Sequence, residues 1–275
     1  MKIKKLKNKI RKFLWGNIIS EKIYFIFHGD SMVPPDSMRA SVGVTMTASD
    51  YKKNGTHIQN LCIELAQLKR DAKILDVGCG VGLTAVPLTN YLTTGSYYGF
   101  DIIKKGIDFC NERISSKYPN FTFIHSDILN KHYNNNGKIS AAEYKFPCKD
   151  ETFDFVFLNS VFTHMYPKDM ENYLKEISRV LKSGGNCFIT FFIMNLESRR
   201  LMQEPKSEQN FKYNRDGFSC TKAHDPEAAI AYEEERIVEL FESNGMSINN
   251  GIKYGSWCGR DNCIYFQDIV VATKK

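Results

Sequence analysis

Residues 74–82, Ile-Leu-Asp-Val-Gly-Cys-Gly-Val-Gly, set a carboxylate before three glycines at every second position. The apolar run enters as a strand, Asp76 stands near its end, and Gly78, Gly80 and Gly82 leave the next turn without side chains around Cys79. Such a turn lets backbone N–H groups approach a ligand closely at the head of a helix. A nicotinamide-dinucleotide loop reads G-x-G-x-x-G and has no carboxylate just before its first glycine. The G-x-G-x-G spacing, with Asp76 placed to repel a pyrophosphate, predicts instead a nucleoside-like ligand that is partly cationic.

Other residues extend this chemistry. Asp101 follows Tyr-Tyr-Gly-Phe, 19 residues beyond Gly82, where a carboxylate can accept both hydroxyls of a ribose. His164, in Val-Phe-Thr-His-Met, lies just past the strand 153–158. An imidazole titrates near pH 6.5, which suits a general base toward a hydroxyl; the alternative is a packing or hydrogen-bonding group. Near the end of the chain, Trp257, Arg260 and Tyr265 crowd a Gly-flanked turn. They suit a polar acceptor site, with Trp257 as an apolar wall and Arg260 as an anion clamp. The alternative there is a hairpin whose Trp packs in the core. Arg199 and Arg200, with Lys206, Lys212 and Arg215 among aromatic residues, make either a lid over an anionic or sugar-bearing acceptor or a solvated loop.

The elements that must position these residues alternate. Helix 53–70 leads to strand 73–77, helix 82–92, strand 96–101, helix 104–117 and strand 121–126. Strand 153–158, helix 168–182, strand 186–193, helix 227–244 and strands 246–254 and 264–272 follow. Helical connections predict a mostly parallel sheet with ligands at the carboxyl ends of its strands. Segment 28–50, with Pro34-Pro35, reads as a loop, and 128–152 and 194–226 exceed ordinary loop length, as specificity-bearing insertions do.

The chain has 275 residues, 43% hydrophobic and 25% charged, an ordinary globular composition. No apolar run approaches the roughly 20 residues that span a bilayer, and the N-terminus lacks a signal-peptide pattern. The eight scattered cysteines point to a reducing cytoplasm. Cys258 and Cys263 have no second cysteine pair or clustered histidine nearby, so no metal is expected. Residues 1–22 hold eight Lys/Arg against one acid, a net +7, whereas the whole chain is +6 and the remainder therefore −1. Ile3, Leu6, Ile10, Phe13, Leu14 and Ile18 trace one face of that basic segment, an amphipathic helix. It either caps the protein's own core or contacts an anionic membrane surface at the inner face.

From about residue 50 to 272 these motifs, with Val-Leu-Lys-Ser-Gly-Gly at 180–185, resemble class I S-adenosylmethionine-dependent methyltransferases. The resemblance implies an α/β, Rossmann-like class I methyltransferase fold: a mostly parallel seven-stranded sheet with helices on both faces. It implies a methyltransferase domain over 51–275, with insertions at 128–152 and 194–226, behind a basic helix and connecting loop over 1–50. By the same resemblance S-adenosyl-L-methionine contacts Asp76, Gly78, Cys79, Gly80 and Gly82. Asp101 and Ile102 face the ribose, Asp127 and Ile128 the adenine, and Asn159 and Ser160 the transferable methyl. Tyr51 closes over the cofactor.

No Pro-Pro-aromatic follows Asn159, which argues against methylation of DNA bases, and no Asp/Asn cluster resembles the metal site of catechol-type enzymes. The Ser-Val-Phe-Thr-His-Met and Gly-Ser-Trp-Cys-Gly-Arg segments resemble a bacterial small-molecule subgroup linked to surface-glycan, capsule and polysaccharide biosynthesis. That implies O-methylation of a sugar, a nucleotide-linked sugar or a phosphate-containing glycan precursor. Arg199, Arg200, Trp257, Arg260 and Tyr265 would hold the acceptor and His164 would act as base. Two competing readings are an RNA or protein acceptor gripped by residues 1–22, and a non-catalytic S-adenosylmethionine-binding module.

Overall fold

The computed structural model describes residues 31–41 and 47–275; the basic helix expected over 1–22 lies outside them. Within the segment expected to be a loop, helix α1 (Asp36–Ser41) forms directly after Pro34-Pro35. Helix α2 (Ala48–Ala66) starts earlier than its apolar pattern, because the Thr47 hydroxyl accepts the Asp50 N–H and caps it. It stops at Gln67, which takes the left-handed conformation.

Eleven strands follow in chain order. They are β1 (Lys73–Val77), β2 (Ser96–Asp101), β3 (Phe121–His125), β4 (Phe153–Leu158), β5 (Leu181–Phe191), β6 (Ile193–Met194), β7 (Tyr213–Arg215), β8 (Phe218–Cys220), β9 (Ile230–Glu233), β10 (Met246–Ile248) and β11 (Asp268–Lys274). Seven build the main sheet in the order β10-β11-β5-β4-β1-β2-β3. Only β11 runs antiparallel to its neighbours β5 and β10; the other pairs are parallel. The chain winds outward from β1 through β3, then returns to β4 on the far side of β1. This reversal leaves a crevice at the carboxyl ends of β1 and β4, the position where such sheets bind ligands.

The remaining helices are α3 (Ala85–Tyr91), α4 (Lys104–Cys110), α5 (Pro167–Val180), α6 (Leu196–Leu201) and α7 (Glu234–Ser243). Parallel strands covered on both faces need apolar residues on both, and alternate residues of β1 meet that need. Leu75 and Val77 join Leu174 and Ile177 of α5 and Ile237 of α7 in one cluster. Ile74 joins Ile58 of α2, Leu88 of α3 and Ile107 of α4 in another.

The structure corrects the sequence reading in further places. Helix 227–244 is only α7; Ile230, Ala231 and Tyr232 before it are all buried and form β9. A run buried on successive residues is strand-like, and Glu234 and Glu235 mark the true helix start, where acids favour the dipole. Strand 246–254 shortens to β10, and strand 264–272 begins only at Asp268. Finally, the 194–226 segment is not a bare loop. It contributes α6, β7 and β8, and β6-β9-β8-β7 make a second, four-stranded sheet beside the crevice. No helix among the described residues is long and apolar enough to cross a membrane.

Candidate active site

A cavity of about 400 Å³ opens at the carboxyl ends of β1, β2 and β4. The glycine loop forms one end. Gly78, Gly80 and Gly82 have φ of 80°, 55° and 82°, a region that favours glycine. A Cβ on Gly78 would also lie 2.4 Å from Val161 Cγ2. The loop is tied to β2 because the N–H groups of Gly78 and Cys79 both donate to the Phe100 carbonyl.

Two buried carboxylates stand behind this loop. Asp101 accepts the Gly80 N–H on Oδ2 (2.8 Å) and the Ile103 N–H on Oδ1 (2.7 Å). Burial pushes its carboxyl above the usual range, opposed by those N–H donors. Asp76 accepts the Tyr97 hydroxyl (2.5 Å) and is pushed up to about 7. Burial is the main cause; the Tyr97 bond opposes it and the neighbouring Asp101 adds to it.

The folded Asp76 therefore keeps its proton to about pH 7, whereas the unfolded chain releases it near 3.8. Its stabilising contribution is full below pH 3.8 and is lost as pH rises through about 7, a change of up to about 4 kcal/mol. Asp76→Asn should flatten that slope and raise Tm at pH 8, read by thermal denaturation across pH. An unchanged slope would mean that Asp76 titrates normally.

Past β4 the chain makes a strained turn. Ser160 takes φ 60°, a left-handed conformation that costs a non-glycine residue on the order of 1–3 kcal/mol. Its N–H donates to Thr190 Oγ1 (2.8 Å) and its Oγ accepts from Gln267 Nε2 (2.9 Å), which hold it there. Asn159 Oδ1 accepts the Tyr265 hydroxyl (3.0 Å).

His164 closes the next tight turn, Phe162–His164, and lines the cavity. Its Nδ1 lies 2.7 Å from the Glu227 carbonyl, which can only accept, so Nδ1 carries the hydrogen. Burial pushes the imidazole pKa below 6.5; the Glu227 bond opposes this and His132 adds to it. The ring is thus neutral near pH 7, with its lone pair on Nε2. Both long segments fix this ring. Asn130 Nδ2 donates to the His164 carbonyl (3.0 Å), the Glu227 carboxylate accepts the Lys131 N–H (3.0 Å), and His132 Nδ1 meets Asp225 (3.0 Å). Tyr133 packs edge-on against His164 at 5.2 Å.

Of the residues expected at the cofactor, Asp76, Gly78, Cys79, Gly80, Asp101 and Ile102 line the cavity, as do Ile128, Asn159 and Ser160. Tyr51, Gly82 and Asp127 do not. Tyr51 is buried behind the loop, with its hydroxyl donating to the Val81 carbonyl (2.9 Å). Gly82 packs toward Cys110 and Ile114. Asp127 is engaged through its carbonyl with Lys138 and Ile139, and Ile128 supplies the wall there.

None of the five residues expected to hold the acceptor lines the cavity. Arg199 is neutralised by Glu233, and Arg200 is exposed. Arg260 pairs with Glu197 (2.9 Å) and stacks on Tyr254. Trp257 is fully buried, donating Nε1–H to Asp268 (2.7 Å). It stands against Phe192, which itself lines the cavity, so it backs the wall rather than forming it. Tyr265 acts through Asn159. The side chains that do form this end include Asn130, Tyr133, Met165, Phe192, Gln209 and Phe266. Asn130 and Tyr133 adjoin an Asn-rich stretch that reads locally as a turn, and nothing in its spacing points to a site.

The family model described as a methyltransferase domain matches residues 75–189. A fatty-acid O-methyltransferase of Mycolicibacterium smegmatis is 30% identical over 182 residues, 66% of this chain and 57% of that protein. A phthiotriol/phenolphthiotriol dimycocerosates methyltransferase of Mycobacterium tuberculosis is 31% identical over 167 residues, 60% of this chain and 52% of that protein. The chain thus spans little more than half the length of these curated relatives. Among solved structures, magnesium protoporphyrin IX methyltransferase from Synechocystis PCC 6803 with bound SAH superposes with a TM-score of 0.52 at 16% identity. It covers 98% of this chain and 100% of that one. The match over residues 75–189 and the order of the seven strands show a Rossmann-like class I methyltransferase fold.

Proposed function

We propose that the chain transfers a methyl group from S-adenosyl-L-methionine to an oxygen of a small acceptor with an apolar body. One observation carries this: a single cavity joins the glycine loop and Asp101 to a neutral imidazole at His164. The residues present fit the cofactor, because the glycine turn admits a nucleoside closely and the buried Asp76 and Asp101 suit a partly cationic one. When bound there, the cofactor supplies an electrophilic methyl on a sulfonium sulfur. The chain's own groups then do three things. Asp101 holds the ribose hydroxyls, the Asn159-Ser160 turn fixes the far end of the cofactor, and His164 Nε2 receives the acceptor's proton.

The acceptor follows the walls. Ile128, Leu129, Met165, Phe192, Ala229 and Phe266 are apolar, and the two mycobacterial relatives are named for fatty-acid and phthiotriol substrates. The sugar or phosphate acceptor suggested by the glycan-linked subgroup finds no such support, since Arg199 and Arg260 serve internal ion pairs and Arg200 does not line the cavity. Residues 51–275 form the catalytic unit, and the +7 segment 1–22 is a handle for an anionic lipid surface on which an apolar acceptor resides.

Isothermal calorimetry with S-adenosylhomocysteine tests the reading: saturable binding at one site per chain is expected. Absence of binding would leave a fold without its cofactor and end the proposal. Labelled cofactor with lipid-extract pools, followed by mass spectrometry, then identifies the acceptor.

A further inference from the structure

The charges around the cavity are one-sided. Asp76 and Asp101 line its nucleoside end, Asp169 and His164 line the other, and no Lys or Arg among the described residues lines it. Asp169 is tied down, accepting the Tyr166 N–H (3.2 Å) at the start of α5. His164 presents a lone pair rather than a proton, because its one hydrogen is held by the Glu227 carbonyl. Arg199 and Arg260 already face Glu233 and Glu197.

We infer that the group methylated here is an uncharged hydroxyl, not a carboxylate or a phosphate. This rests on the methyl-transfer reading above and names its substrate class. An anionic acceptor would lie beside Asp169 and the Nε2 lone pair, with no Lys or Arg among the described residues lining the cavity to pair with it. Burying an unpaired charge is costly. A hydroxyl meets the opposite situation, because it donates to Nε2 and needs the base that His164 provides.

The step balances. The acceptor oxygen bonds to the methyl carbon while the carbon–sulfur bond breaks. That electron pair stays on sulfur, which becomes a neutral thioether, and the hydroxyl proton passes to Nε2. The positive charge thus moves from sulfur to imidazole within the same cavity, and Asp101 and Asp169 face a cation before and after. With a carboxylate acceptor the cation would vanish, leaving those two acids facing neutral products.

A matched pair of probes tests this on the full chain: 1-octanol and octanoate, which share a carbon chain and differ in head group. Methyl transfer from labelled S-adenosylmethionine is followed by mass spectrometry of the ether and the ester, and S-adenosylhomocysteine binding is measured on the same preparation. Transfer to the alcohol should exceed transfer to the carboxylate at least tenfold. Asp169→Asn, which keeps an oxygen for the Tyr166 N–H, should narrow that ratio by favouring octanoate. Octanoate methylated as fast as octanol or faster, with S-adenosylhomocysteine still bound, overturns the inference and leaves the methyltransferase reading standing. Failure to bind S-adenosylhomocysteine removes that reading itself.

Discussion

Replacing His164 by alanine should lower methyl transfer to a hydroxyl by about 10²-fold or more, with the affinity for S-adenosylhomocysteine nearly unchanged. The size follows from the role. A neutral hydroxyl is a poor nucleophile until its proton is accepted, and Nε2 of His164 is the neutral base facing the apolar end of the cavity. The asymmetry between rate and affinity follows from position, since the groups assigned to the nucleoside lie across the cavity at the glycine loop and Asp101.

The pH profile adds a second readout. Burial depresses the imidazole pKa below 6.5, so the base stays unprotonated there and the rate falls only as pH drops through that depressed value. The stability linkage has the same direction. His164 contributes fully above pH 6.5, and its contribution is lost as pH falls from there through the folded pKa. A rate unchanged by His164→Ala, or an acid limb that survives it, would reduce His164 to a packing role.

Asp101→Ala should weaken S-adenosylhomocysteine binding by about tenfold or more, because hydrogen bonds to a buried charged group are worth roughly 1.5–3 kcal/mol. It should also lower Tm. The carboxylate is the acceptor for the Gly80 and Ile103 N–H groups, and its loss strips both of that partner. A buried N–H left unsatisfied costs about 1–3 kcal/mol. Calorimetry on protein still folded at the assay temperature separates the two effects. Wild-type affinity would refute the ribose assignment.

The glycine-loop end of the cavity was readable in the sequence because its determinants are local. Strand, turn and glycines lie within nine consecutive residues, 74–82. Asp101 ends the very next strand, and parallel pairing of Asp76 with Gly99 brings the two strand ends together. The left-handed φ of the glycines is a backbone requirement that only side-chain-free positions meet without strain, so spacing alone reveals it. His164 was also legible, since it lies five residues beyond Asn159 on a turn that leaves β4.

The acceptor half was not. Arg199, Arg200, Arg260 and Trp257 looked like binding groups because charge and aromaticity are visible in a sequence while their partners are not. Glu233 lies 34 residues from Arg199, and Glu197 lies 63 residues from Arg260. Once folded, those carboxylates take up the arginines. Asp268, fully buried, takes the Trp257 N–H together with the Ile193 and Gly255 N–H groups.

Composition, periodicity and the glycine loop thus determined by themselves a mostly parallel α/β sheet and a glycine turn with Asp76 and Asp101 beside it at the cavity. Each depends on contacts within one strand–turn–helix unit or between adjacent parallel strands. Only the tertiary structure decided what surrounds His164. The Lys131–Glu227 and His164–Glu227 contacts bridge 96 and 63 residues. Contacts that distant form only in the folded chain, where Phe192, Phe211 and Trp257 bury one another and hold the 194–226 segment against the body of the protein.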